Sequence, residues 1–193
     1  MSLWRVRLGA MKRNKNKIKK MSFLGLDIPA SDEREVIERP LGVGDQGNHE
    51  PFFSTSLLFG HVAYFTFRHP PSTPQDFDMY TRAFTSYYDN HEQFLFFFDV
   101  RDLEGMNESF IQMKTDLLTR FKPRSVKQVK GTAIVLQSDS VRSLLNMLFK
   151  VYQLTTPHAL FTEDGEASTW IMGQLADTFG EEELMRQLGD GST

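Results

Sequence analysis

The 193-residue sequence contains no cysteine. That excludes disulfides, thiolate nucleophiles and Cys-bound zinc or iron–sulfur clusters, and it fits a reducing compartment. Apolar runs approaching the roughly 18 residues of a membrane span are also missing, as is the continuous apolar stretch of a secretory signal. No G-K-S/T phosphate loop, G-x-S-x-G elbow, H-E-x-x-H pair or EF-hand loop occurs. The five histidines, His49, His61, His69, His91 and His158, are scattered without metal-ligand spacing. An enzyme reading therefore has no nominated nucleophile, and no cofactor or metal is expected.

Acids are missing from residues 1–20, which hold eight of the 22 Lys and Arg. The rest of the chain then carries 14 bases against 25 acids, a net of −11. An acidic body repels phosphates at long range, so nucleic acid is a poor partner. Residues 1–20 read as a basic leader, a solvated tail by default. The alternatives are a targeting segment, a nuclear-import cluster or a membrane-surface tether anchored by Trp4, Val6 and Leu8. A cytoplasmic chain is expected, with nuclear or peripheral membrane placement as variants on that basic end.

What the sequence has in quantity is Phe, 17 residues, enough to fill a core with large flat side chains. From Phe52 to about Ala176 the apolar period alternates between strand-like and helix-like. Two runs, Phe52–Phe59 and His61–Phe67, flank Gly60 and read as a hairpin. Thr73, Pro74 and Asp76 then open a helix with Phe77, Tyr80, Phe84, Tyr87 and Tyr88 on one face. Phe94–Phe98 is apolar on both faces, as a central strand would be. A second helix begins near Asn107, carries the stripe Phe110, Met113, Leu117, Leu118 and Phe121, and ends at Pro123. Thr132–Leu136 is another inner strand. A third helix, capped by Ser138 or Asp139, turns Val141, Leu144, Leu145, Leu148 and Tyr152 inward. A short strand ends at Phe161, and Thr162 caps a fourth helix with Ala167, Trp170, Ile171 and Leu175 facing in.

This order predicts an α/β fold: one mostly parallel sheet of about five strands with a leading β-hairpin and four helices packed on it. The division is a leader at 1–20, an arm and Gly-rich loop at 21–51, the domain at 52–177, and an acidic tail at 178–193 with a short helix at Glu181–Leu188. The loop holds Gly42, Gly44 and Gly47 in a formal G-x-G-x-x-G, but no strand precedes it and no helix opens on it, so it reads as a flexible loop.

The cap Pro74-Gln75-Asp76-Phe77, the strand ending in Asp99, the run Lys130–Leu136 and the closing segment Leu160–Ile171 together resemble the SpoIIAA-like domain of the STAS superfamily. The resemblance covers roughly residues 55–175. It implies a fold similar in outline to CRAL-TRIO lipid carriers, and a non-catalytic module that binds lipid or docks a protein. In bacterial signalling relatives a Ser or Thr opening the helix after the central strand is phosphorylated. Ser109 lies nearest here, but Asp-Ser-Ser-Gly is absent and Glu108 would repel a phosphate.

Ligands of open sheets favour the carboxyl ends of strands. The candidate ligand or partner loops there carry Asp99, Arg101, Asp102, Asn107, Ser109, Ser138 and Asp139. Arg120, Lys122, Arg124, Lys127 and Lys130 fall within eleven residues without an acid. They are the candidate contacts for an anionic membrane surface, read as a loop linking helix to strand. Three functions follow in order: lipid or membrane-surface binding, a signalling adaptor docking through Asp99–Ser109, and an unrecognised hydrolase.

Overall fold

The structure, a computed structural model, describes residues 51–152, 154, 156–182, 185 and 186. The basic leader, the arm and the Gly-rich loop lie outside the described residues, as does part of the expected helix at Glu181–Leu188.

Five strands form one sheet: β1 (Phe53–Leu58), β2 (Val62–Phe67), β3 (Phe94–Asp99), β4 (Val129–Val135) and β5 (His158–Phe161). Their spatial order is the order of the chain. β1 pairs antiparallel with β2, and every later neighbour is parallel. Among the described residues the helices packed with the sheet are α1 (Pro74–Asn90), α2 (Glu108–Gln128), α3 (Asp139–Tyr152) and α4 (Asp164–Phe179).

The alternation of side chains along each strand sorts the core into two layers. Phe65 and Phe67 of β2, Phe94, Phe96 and Phe98 of β3, and Ile134 of β4 pack in one cluster with residues of α1, α2 and α3. Phe84 of α1 lies flat on Phe96, with centroids 5.0 Å apart and an interplanar angle of 2°. The opposite face carries α4. Phe161 packs there on Trp170, and Gly131 of β4 leaves a gap that Trp170, Gln174 and Leu95 fill. Burial on both faces is why Phe94–Phe98 is apolar throughout. Each such Phe contributes roughly 1.5–3 kcal/mol by leaving water.

Local chemistry sets the element ends. The Thr73 hydroxyl accepts from the Asp76 N–H, and the Asp76 carboxylate accepts from the Thr73 and Ser72 N–H groups, both at 2.9 Å. This capping box starts α1. The hairpin turns through Phe59 and Gly60, both at positive φ (50° and 63°), closed by the His61 N–H on the Leu58 carbonyl. The turn therefore centres on Phe59 and Gly60, and Phe59 holds a conformation that costs a side-chain-bearing residue energy.

Two expectations fail. Pro123 does not end α2, which runs through it to Gln128 and passes directly into β4 at Val129. No loop links them. An internal Pro normally costs about 3 kcal/mol, and here tertiary bonds hold the turn beyond it. Gln128 Nε2 donates to the carbonyls of Tyr88 (2.9 Å) and His91 (2.8 Å) at the end of α1. Arg124 pairs with Asp89 at 2.8 Å and donates to the Tyr88 carbonyl, and the Ser125 and Tyr88 hydroxyls share a bond of 2.8 Å. The second correction is at α4, whose N-cap is Glu163 without a side-chain bond; Thr162 lies one residue before it and does not cap.

Candidate functional site

The carboxyl end of β3 is an internally closed ion pair. Asp99, the last residue of β3, is a buried carboxylate. Arg101 donates to it through Nε (2.9 Å to Oδ1), a terminal nitrogen (2.5 Å to Oδ2) and its own backbone N–H (3.2 Å). Tyr64 of β2 donates to Oδ2 from 3.4 Å. The hydrogen bonds from Arg101 to Asp99 raise the guanidinium above its ordinary pKa. Asp164, the first residue of α4, lies 3.9 Å from Arg101 with one oxygen otherwise unbonded.

The other loop candidates have structural tasks. Asn107 caps α2 by accepting from the Phe110 N–H at 2.7 Å, and its amide donates to the Pro71 carbonyl at 2.8 Å. Ser138 donates to the Glu104 carbonyl and accepts from the Val141 N–H at the start of α3. Asp102 and Asp139 are exposed. Ser109 lines an open groove of about 650 Å³ between α1 and α2, with Asp116 and Arg120. Asp99 belongs to the α4 side of the sheet and Ser109 to the side of α1 and α2, so the structure does not bring the loop candidates together.

The basic candidates are also divided. At 100° per residue, Arg120, Arg124 and Lys127 share a face of α2, while Lys122 turns away from it. Lys122 reaches instead toward the Tyr152 carbonyl of α3, and Lys130 donates to the Lys127 carbonyl. Arg124 is committed to Asp89 and Tyr88. Arg120 and Lys127 remain exposed.

Between the sheet and its helices lies a cavity of about 100 Å³. Its walls come from Phe96 and Phe98 of β3, Ile134 of β4, Phe110, Ile111 and Leu118 of α2, and Leu145 and Phe149 of α3. One charged residue enters this apolar lining, Lys114 of α2. Its Nζ lies 4.5 Å from the Tyr80 ring centre, 4.6 Å from that of Phe98 and 5.3 Å from that of Phe84, and it donates to the Tyr80 hydroxyl. Burial pulls the Lys114 ammonium down to about 7. Among the described residues no carboxylate forms an ion pair with it. Lys114 stands four residues after Phe110 and four before Leu118, inside the apolar stripe of α2. That periodicity marks the position in the sequence, though not the direction its ammonium takes.

Among the described residues no group of three or more His, Asp or Glu is placed to hold a metal ion, and no helix is long and apolar enough to cross a membrane.

The hairpin, the chain-ordered sheet and the four helices define a SpoIIAA-like fold. A solved structure with that fold, an uncharacterized protein of the DUF3478 family from Shewanella loihica PV-4, is similar to this chain with a TM-score of 0.50 and 13% sequence identity, over 66% of this chain and 99% of that one. No protein-family model matches the chain, and no curated protein does.

Proposed function

We propose that the chain is a binding module, working without catalysis, that holds an apolar or amphiphilic small molecule between its sheet and the helices α2 and α3. The cavity carries this reading, because its walls are almost wholly aliphatic and aromatic and offer few polar groups to water. The strand order supports it. Ligands in doubly wound sheets use the crevice where the strand order reverses, and this sheet never reverses. The carboxyl end of β3 is filled by its own Asp99–Arg101 pair.

Native mass spectrometry of the purified full chain tests the reading directly. A co-purified lipid or small apolar acid is the expected result. If nothing co-purifies, and short-chain amphiphiles fail to shift the NMR resonances of Phe110, Ile111 and Leu118, the reading falls.

A second contact, with an anionic lipid surface, is favoured by the exposed Arg120 and Lys127 on α2. Liposomes containing anionic lipid should pellet the protein at low salt and lose it at high salt. Arg120→Glu with Lys127→Glu should abolish pelleting without touching the Arg124–Asp89 pair. Absence of pelleting at low salt removes this contact. The adaptor alternative would use the loop from Asp99 to Ser109; retention of partner binding after Asp102→Lys with Ser109→Arg would count against it.

A further inference from the structure

Lys114 places a cation at the wall of an otherwise apolar cavity, and no described acid neutralises it. An ammonium has three N–H donors. One goes to the Tyr80 hydroxyl, and the rings of Tyr80, Phe84 and Phe98 surround the group. Rings ease an ammonium by their negative faces but do not replace an anionic acceptor. A charge drawn out of water without an anionic partner is costly, and a carboxylate arriving in the cavity would supply both charge and acceptor.

We infer that the cavity takes an amphiphile bearing a single carboxylate, and that the Lys114 ammonium holds that carboxylate while the aromatic walls take the apolar body. The inference rests on the cavity reading above and adds the class of ligand. Size limits the enclosed part. A cavity near 150 Å³ holds a benzene, so about 100 Å³ encloses a short chain.

The groups facing Lys114 set the proton balance. From α1 these are the phenols of Tyr80 and Tyr88, both raised by burial, Tyr88 to about 12, so both stay neutral near pH 7. β3, β4 and α3 present only uncharged residues to the cavity. Lys114 alone therefore exchanges a proton there. Without ligand, burial lowers the ammonium to about 7; a bound carboxylate favours the charged form, so binding above that pH draws a proton from solvent.

The test titrates the labelled full chain at pH 7.5 with hexanoate and with 1-hexanol, which has a matching chain and no charge. Hexanoate should bind at least tenfold tighter, shift the resonances of Phe110 and Ile111, and take up protons, seen as a heat that varies with the ionisation enthalpy of the buffer. Lys114→Met should weaken hexanoate at least tenfold and leave 1-hexanol bound. Equal affinities with no proton uptake overturn the carboxylate anchor and leave the cavity reading standing. Failure of both ligands to shift cavity resonances overturns both. Should Lys114→Met not fold, proton uptake by the unaltered chain decides.

Discussion

The guanidinium of Arg101 grips both carboxylate oxygens of Asp99, with Nε 2.9 Å from Oδ1 and a terminal nitrogen 2.5 Å from Oδ2. The two residues are separated by Val100 alone, so the pair forms where β3 ends and turns. It fixes the end of the strand beneath α4 and occupies the position where sheets of related architecture receive ligands.

Arg101→Met should therefore destabilise the fold. Removing one partner of a buried pair strands the other charge, at about 3–5 kcal/mol. The Arg101 side chain is 34% exposed, and water reaching it reduces the loss to about 1–3 kcal/mol. Asp99→Asn in the same background should recover part of it by removing the stranded charge. Urea denaturation of the two variants checks the order. Equal stability of Arg101→Met and the unaltered chain would contradict the role given to the pair.

Lys114 should make stability depend on pH in an unusual direction. Its ammonium titrates near 7 in the folded chain, against an ordinary value of 10.5. The unfolded chain thus binds more protons between those values, and stability rises with pH across that window. Below pH 7 both states are protonated and the cost of burial is at its largest. At full burial the gap between the two values would be worth about 5 kcal/mol; Lys114 is only half-buried, so Lys114→Met should be more stable than the unaltered chain at pH 6 by on the order of 1–2 kcal/mol, and the advantage should shrink toward pH 10. Parallel denaturant titrations at the two pH values measure it, and a constant difference would count against it.

Gly131 should tolerate little. A Cβ there would lie 3.1 Å from the Trp170 ring, 3.3 Å from Gln174 and 3.3 Å from Leu95. Gly131→Ala should cost about 1–3 kcal/mol by overpacking, Gly131→Val should cost more, and both should alter Trp170 fluorescence. Thermal melts in which the two variants match the unaltered chain would show that α4 can move aside.

The clasp from α2 to α1 should depend on Gln128. Gln128→Ala leaves the Tyr88 and His91 carbonyls without its amide. About 1–3 kcal/mol is the cost of each polar group left unsatisfied in a buried place; both sites are only part-buried, so a total near 1–2 kcal/mol is expected. Hydrogen exchange should speed up at the end of α2 beyond Pro123 before it does so elsewhere, and unchanged exchange there would assign the continuity of α2 to another cause.

Most of the sheet was legible because its strands declare themselves by composition. Phe94–Phe98 is apolar on both faces in sequence and buried on both in the fold. The stripe Tyr80, Phe84, Tyr87 and Tyr88 is the buried face of α1. Pro123 misled because the bonds that carry the helix past it come from residues about 35 positions earlier in the chain, Tyr88 and Asp89, and no local window contains them. Lys114 was missed for a related reason. A lysine in an amphipathic stretch reads as a solvated side chain that snorkels outward, and only the packing of α1 over α2 turns its ammonium toward Tyr80. The basic run at 120–130 looked like one patch because it was read as a loop, whereas a helix sends neighbouring residues to different sides.

The chain-ordered sheet has a consequence for how the domain comes into being. Each parallel strand joins the edge left by its immediate predecessor, so synthesis from the amino end always presents a finished template to the next strand. Assembly can then proceed as vectorial growth during translation, with the β1–β2 hairpin as its seed and every crossover closing a loop of modest length. The same geometry leaves β5 as the last edge to be added, and at each stage the half-built domain offers its newest parallel strand as the template for the next.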